Sequence, residues 1–238
     1  MKRSAVLVLL VCFLSCSKKD SQVPATPKTN CRISSAYYSG GQLSFTYNLS
    51  YNADGKISKL TYDGPNAYVK TFTYNGNAIY INYAGVAFSA TDTIMLNSAG
   101  RIATAKDVVK DTVYNTVFTY DAGGLVQSST TQITGSAPVT TNYEFTNGDL
   151  TNAGPGHIRD TTTFLTDKPA VIGNLDDFNQ LIYYGSSYFT NAHLKKSYSY
   201  WPFHYDYTYT YDEEGKITSV TSNDGTVSES FSFTYDCH

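Results

Sequence analysis

A seven-residue pattern recurs through the chain and limits its fold more strongly than any other feature. It reads Tyr51-Asn52-Ala53-Asp54-Gly55-Lys56-Ile57, then Leu96-Asn97-Ser98-Ala99-Gly100-Arg101-Ile102, Tyr120-Asp121-Ala122-Gly123-Gly124-Leu125-Val126 and Tyr211-Asp212-Glu213-Glu214-Gly215-Lys216-Ile217. Weaker copies begin at Tyr74 and Phe145, and Tyr235-Asp236 begins another. The Asn or Asp can accept a hydrogen bond from the turn backbone, and the Gly three positions on can take a positive φ. Each copy therefore predicts a short β-hairpin turn. The first residue of the pattern recurs every 22 to 25 residues from 51 to 145, and again from 211 to 235. The intervening gap of 66 is close to three such periods.

The flanks of these turns alternate with period two. Leu43, Phe45, Tyr47, Leu49 and Tyr51 fall on one face, while Ser44, Thr46, Asn48 and Ser50 fall on the other. Tyr205, Tyr207, Tyr209 and Tyr211 oppose Asp206, Thr208 and Thr210 in the same way, and Phe231, Phe233 and Tyr235 follow suit. Such alternation in Thr- and Tyr-rich segments predicts half-buried antiparallel strands. The predicted fold is all-β: a large antiparallel up-and-down meander of about 12 to 15 strands, curled into a barrel or half-barrel. A lipid-embedded barrel would also alternate. Against it stand the chain end Asp236-Cys237-His238 and the lack of long loops alternating with short turns.

Residues 153–204 interrupt the rhythm with Gly154-Pro155-Gly156 and Lys168-Pro169. Within them, Asn174 to Ile182 reads as one short helix. Asn174 caps it, Asp176 and Asp177 occupy the first turn, Leu175, Phe178, Leu181 and Ile182 form an apolar stripe, and Gly185 ends it. So short a helix needs a partner surface, here the aromatic face of the sheet or a barrel mouth.

The first thirty residues set the expected location. Lys2-Arg3 and the ten apolar residues Ala5 to Leu14 predict a signal peptide over 1–15, about half of what a membrane span requires. Phe13-Leu14-Ser15-Cys16 resembles a bacterial lipobox, with Phe13 in place of the usual Leu, and implies acylation of Cys16. Residues 16–30, with Pro24 and Pro27, read as a flexible tether to a single domain over 31–238. The expected location is the outer membrane, by a lipid anchor. Lys18-Lys19-Asp20 leaves the choice between periplasm and cell surface open. Two cysteines remain in the folded region, Cys31 and Cys237, one at each end. In an oxidising compartment they have one intramolecular pairing, which would staple first strand to last.

The Tyr-Asp-x-x-Gly-Lys-Ile pattern resembles the YD-type repeats of bacterial surface and toxin-shell proteins. Together with the lipobox, the tether and the terminal Thr-Tyr-Asp-Cys, the chain resembles a Bacteroidota lipoprotein family of unknown function described as porin-like in fold. The resemblance covers most of 31–238. It implies a curved or closed antiparallel sheet and carries no catalytic residues to transfer.

Little in the sequence points to chemistry. Lys and Arg (17) fall short of Asp and Glu (20), so nucleic acid is not an expected partner. His157, His193, His204 and His238 show no zinc spacing, and neither HExxH nor CxxC occurs. There is no G-x-S-x-G elbow and no nucleotide fingerprint, so no cofactor or catalytic residue is assigned. The expected ligand site lies where the repeat breaks, around the only Trp: Trp201, Tyr200, Phe203 and His204 with Tyr183 and Tyr184. Aromatic platforms suit a glycan or an apolar ligand. The function expected is a non-enzymatic binding or scaffold lipoprotein. The alternatives are a glycan or lipid hydrolase and a lipid carrier.

Overall fold

A computed structural model describes residues 31–85, 90–154, 160–200 and 202–237. The expected signal peptide (1–15), Cys16, the tether (16–30) and Trp201 lie outside the described residues. In chain order the strands are β1 (Cys31–Gly40), β2 (Leu43–Tyr51), β3 (Ile57–Asp63), β4 (Tyr68–Asn75), β5 (Ala78–Ala84), β6 (Ala90–Leu96), β7 (Ile102–Val109) and β8 (Thr112–Tyr120). They continue as β9 (Val126–Ile133), β10 (Val139–Thr146), β11 (Asp149–Gly154) and β12 (Asp160–Pro169). Helix α1 (Leu175–Tyr184) follows, then β13 (His193–Tyr200), β14 (Phe203–Tyr211), β15 (Ile217–Asn223) and β16 (Ser228–Cys237). Each strand pairs antiparallel with the next, and β1 pairs with β16, so the meander closes into a barrel of sixteen strands. The all-β barrel with one short helix is as expected; the strand number exceeds expectation. The 66-residue gap holds two hairpin periods, not three. Strands β12 and β13 lack the repeat pattern and pair antiparallel with two register shifts, at Thr163/Phe164 and Leu165/Pro169, and residues 170–192 between them form the helical connection.

The repeated turns have the geometry their residues predict. Asn52, Asn97, Asp121 and Asp212 each accept from the backbone N–H four residues on through Oδ1, at 2.8–3.0 Å. Gly55, Gly100, Gly124 and Gly215 take φ between +75° and +83°, where a Cβ would be strained. A one-residue register shift falls beside each turn, as in a bulged hairpin.

The turns are also tied to one another. Tyr51, Tyr74, Tyr120 and Tyr235 donate their hydroxyls to the carbonyls of Ile33, Ile57, Ile102 and Ile217, each at the previous turn or at the start of β1. The basic residue before each Ile lies over the same ring: Arg32 over Tyr51, Lys56 over Tyr74, Arg101 over Tyr120 and Lys216 over Tyr235, at 5.0–5.9 Å from the centroid. These four Ile are buried. The Lys/Arg-Ile dipeptide of one turn and the Tyr of the next thus form one cross-hairpin joint.

An up-and-down meander puts alternate connections at opposite ends. The Tyr-bearing turns, the ends of β1 and β16 and the α1 connection share one end, here called the hairpin end; the other connections surround the mouth. Residue parity separates inside from outside. Buried Leu49, Leu60, Phe72, Ile81, Ile94, Phe118, Val220 and Phe233 point inward, while outward positions carry Ser44, Thr46, Thr71, Thr73, Lys59, Lys106, Glu144 and Asp206. Outward hydroxyls pair across strands, as in Thr130 with Thr140 at 2.9 Å and Thr119 with Ser128 at 2.7 Å.

Helix α1 fills part of this interior. Asn174 caps it by accepting from the Asp177 N–H at 3.0 Å, and Gly185 ends it with φ +69°. Phe178 is 1% exposed, and its ring meets Tyr47, Phe231 and Phe233 at 6.0, 5.9 and 5.3 Å. Buried Gln180 donates to the Asp176 and Phe189 carbonyls and accepts from the Tyr188 and Phe189 N–H groups. Its polar group is thereby satisfied, which burial demands.

The seam between β1 and β16 begins at the pair Cys31 and Cys237, joined by a disulfide with Cα atoms 4.0 Å apart. The bridge closes a loop of 206 residues. Its removal in Cys31→Ser/Cys237→Ser is expected to lower unfolding free energy by up to about 5 kcal/mol on the chain-entropy model. An unchanged denaturant midpoint would refute the staple. Tyr120→Phe, which deletes only the hydroxyl on Ile102, should cost about 1 kcal/mol. Equal stability of the two proteins in urea would make that joint incidental.

Candidate functional site

Among the charged residues at inward positions are Lys70 between Tyr68 and Phe72, Asp92 between Ala90 and Ile94, and Asp107 between Ala105 and Val109. Adjacent strands bring them together. Asp92 on β6 stands directly opposite Asp107 on β7, and Lys70 on β4 stands opposite Tyr83 on β5. Lys70 is 3% exposed and donates its ammonium to the Ile182 carbonyl of α1 at 3.0 Å. The ring centroids of Tyr83 and Tyr183 lie 4.9 and 5.2 Å from its Nζ. The Tyr83 hydroxyl donates to Asp92 Oδ2 at 2.6 Å.

Burial governs the titration of this group. It pushes Lys70 down to about 8, with the two carboxylates opposing. It pushes Asp107 up to about 6, aided by the charge of Asp92. Asp92 is also raised by burial, against the Tyr83 hydrogen bond and Lys70. Tyr83 is raised by burial and by its bond to Asp92, so it stays a neutral donor.

Between this cluster and the mouth the inner wall is aromatic. Tyr38 stacks on Phe45 at 4.5 Å, Phe45 meets Tyr62 at 5.1 Å, and Tyr62 stacks on Tyr68 at 4.9 Å; Tyr38 also meets Phe231 at 5.1 Å. Strands β13 and β14 add Tyr198, Tyr200, Phe203 and Tyr205, whose rings lie 5.1–6.5 Å apart. Phe203 and Tyr205 share the inward parity of Tyr207 and Tyr209, yet Phe203 remains 43% exposed and Tyr200 39%. Tyr183, beside the buried Lys70, is 56% exposed. Tyr200 ends β13 and Phe203 begins β14 at the rim of the mouth, and Tyr183 lies in the last turn of α1. The inner wall near the mouth is thus aromatic and partly exposed, and the Lys70 group meets the end of α1 inside the barrel.

Of the six ligand residues expected from sequence, Trp201 lies outside the described residues, and the other five are not brought into one cluster. Tyr200 and Phe203 face each other across β13 and β14 on the inner wall. His204, one residue on, points outward, with Nδ1 2.6 Å from Ser199 Oγ and Nε2 3.4 Å from Asp206. Tyr183 and Tyr184 end α1. Tyr183 reaches β4, six strands round the barrel from β14, and Tyr184 packs toward Tyr188. His193 joins Asp149 at 2.7 Å and Lys195 joins Asp176 at 2.7 Å; these pairs bind the helical connection to the strands. Lys70, Asp92 and Asp107 were not singled out from sequence, although charge at an inward position was the available signal. Among the described residues no group of three or more His, Cys, Asp or Glu could hold a metal ion, and no helix is long and apolar enough to cross a membrane.

With this geometry in view, the comparisons with known proteins concern the fold alone. No family model and no curated protein matches the chain. Among solved structures, it is similar to a porin-like protein from Bacteroides uniformis, with a TM-score of 0.67 and 14% identity over 86% of this chain and 98% of that one. A porin-like protein from Bacteroides vulgatus gives a TM-score of 0.59 at the same identity and coverage. At this identity the likeness shows a shared barrel fold.

The Asp107 carboxyl, raised to about 6 in the fold against about 3.9 when unfolded, contributes stability that is fully present below the unfolded value and lost as pH rises through 6. Asp107→Asn is therefore expected to raise the melting temperature at pH 7 by about 2–4 °C. The difference from wild type should vanish near pH 4. A variant less stable than wild type at pH 7 would contradict this assignment.

Proposed function

We propose that the protein is a non-enzymatic binding cup, held at the outer membrane by a lipid on Cys16, which takes a glycan against its inner aromatic wall. The carrying observation is the exposure of Tyr183, Tyr200 and Phe203 on the inside of the barrel. A dry slot for an acyl chain would favour Leu and Ile, whereas this wall is rich in Tyr, whose ring stacks on a sugar face and whose hydroxyl bonds to it. The polar outer face supports a barrel standing in water, because a bilayer barrel presents an apolar band outward. Strand β1 starts at the hairpin end, so a tether from Cys16 would turn the mouth away from the membrane.

The test is binding of the full chain to glycan arrays and to fatty acids. Tyr200→Ala and Phe203→Ala should each weaken glycan binding about tenfold or more while shifting the melting temperature little. Glycan binding that survives both substitutions, or binding of fatty acid alone, would overturn the glycan reading. Mass spectrometry of the mature protein should find an acylated Cys16; an unmodified N-terminus beyond residue 16 would remove the anchor. The opposed pair Asp92 and Asp107 favours one second reading, a glycan hydrolase. Turnover of a bound glycan, lost in Asp92→Asn with binding kept, would replace the first reading by the second.

A further inference from the structure

A cleft of about 50 Å³ lies at the hairpin end, between two repeat turns and the segment that follows α1. Arg101, just before β7, lines one side with Gly124 and Leu125 of the turn before β9; Ser187, Phe189 and Thr190 line the other. The guanidinium crosses Gly124 so closely that a Cβ there would collide with it. The far wall is fixed by bonds of its own. Buried Gln180 holds the N–H groups of Tyr188 and Phe189 and the Phe189 carbonyl, and the Ile102 N–H points at the Ser187 carbonyl at 3.5 Å. The charge balance differs from that of the related turn at Lys216, which pairs with Asp212 at 3.0 Å and with Glu214 in its own turn. The turn before Arg101, Asn97-Ser98-Ala99-Gly100, contains no acid. Asp121, in the neighbouring turn, accepts from the Leu125 N–H at 2.8 Å and makes no ion pair with Arg101. Among the described residues the guanidinium has the Tyr120 ring, at 5.9 Å, and no carboxylate as partner. The Ser187 and Thr190 hydroxyls bond no described residue.

We propose that this cleft is an anion site that receives a phosphate group. Every polar side chain lining it can donate a hydrogen bond, and no carboxylate lines it. Its volume holds about three waters, close to the bulk of one such group. The guanidinium offers a planar fork of N–H donors that matches an oxyanion and keeps its charge at any working pH. The two hydroxyls stand on the opposite wall. Donors on two walls suit an anion whose oxygens point in several directions, so a tetrahedral phosphate is served better than a planar carboxylate. Leu125, 37% exposed, and Phe189 add an apolar margin beside the anion. That margin accommodates a phosphate carrying hydrocarbon, as in a lipid headgroup, as well as a free one. The cleft lies at the opposite end of the barrel from the aromatic mouth, so it stands without the glycan reading; a lipid source rests in addition on the anchored orientation.

Amide NMR on the full disulfide-bonded chain tests it, with inorganic phosphate, acetate and soluble dihexanoyl phosphatidylglycerol as probes at low salt. Phosphate should shift the amides of residues 101, 124–125 and 187–190 along one saturable curve, about tenfold tighter than acetate. Arg101→Lys keeps a cation over Tyr120 but loses the fork, and should weaken phosphate binding about tenfold. Ser187→Ala/Thr190→Ala, which leaves the Tyr120 joint intact, should weaken it severalfold. Arg32→Lys, the same change at a joint without the cleft, should leave it unchanged. Tighter binding of phosphatidylglycerol than of phosphate, with added shifts at Leu125 and Phe189, would support a lipid headgroup; equal or weaker binding would support a free phosphate. Scattered or non-saturating shifts, acetate bound as well as phosphate, or Arg101→Lys binding like wild type would overturn the site. A failure of glycan binding would leave this measurement untouched.

Discussion

A sheet of sixteen strands closed on itself encloses more space than its own side chains can ordinarily fill. Most of the molecule follows from how that space is occupied. Near the hairpin end, small and branched residues such as Ile57, Ile102 and Ile217 pack tightly, and the connection between β12 and β13 supplies a helix as extra filling. Phe178 projects from that helix into the rings of β2 and β16. Toward the mouth, Tyr200 and Phe203 of the inner wall remain partly exposed.

Closure itself depends on contacts very distant in sequence. Pairing of β1 with β16 brings together residues about as far apart as the folded chain permits, and its loop entropy is the largest to be overcome. The Cys31–Cys237 bridge limits that cost by constraining the unfolded chain. The Tyr joints act over a shorter range. Each spans 17 or 18 residues, tying a turn to its predecessor, so the hairpin end can assemble sequentially around the ring. Their Lys or Arg partners cover exposed ring faces, which explains why the repeat carries a basic residue before Ile where turn geometry alone asks for none.

The Lys70 group shows the cost of polar residues in such an interior. A buried cation needs an acceptor and counter-charges, and the structure supplies both from four different elements: the Ile182 carbonyl, Asp92, Asp107 and the ring of Tyr83. A fully apolar floor would pack without that penalty.

Features governed by residues close in sequence were legible from the sequence alone. The turn at Asn52 to Ile57, the alternating faces of β2 and β14 and the caps of α1 at Asn174 and Gly185 all depend on neighbours within a few positions. The pairing of Cys31 with Cys237 was legible as well, because only two thiols remained in the folded region. Strands β12 and β13 were missed as strands, since their register is imposed by pairing and not by a turn pattern of their own. The expected aromatic site divided between the inner wall and the helix end, and His204 turned outward, because parity within β14 assigns it to the other face from Phe203. Lys70, Asp92 and Asp107 stood in the sequence as isolated charges at inward positions. That they meet one another beneath the end of a helix about 75 to 112 residues away was decided only by the closed sheet, which sets strand neighbours and inward direction together.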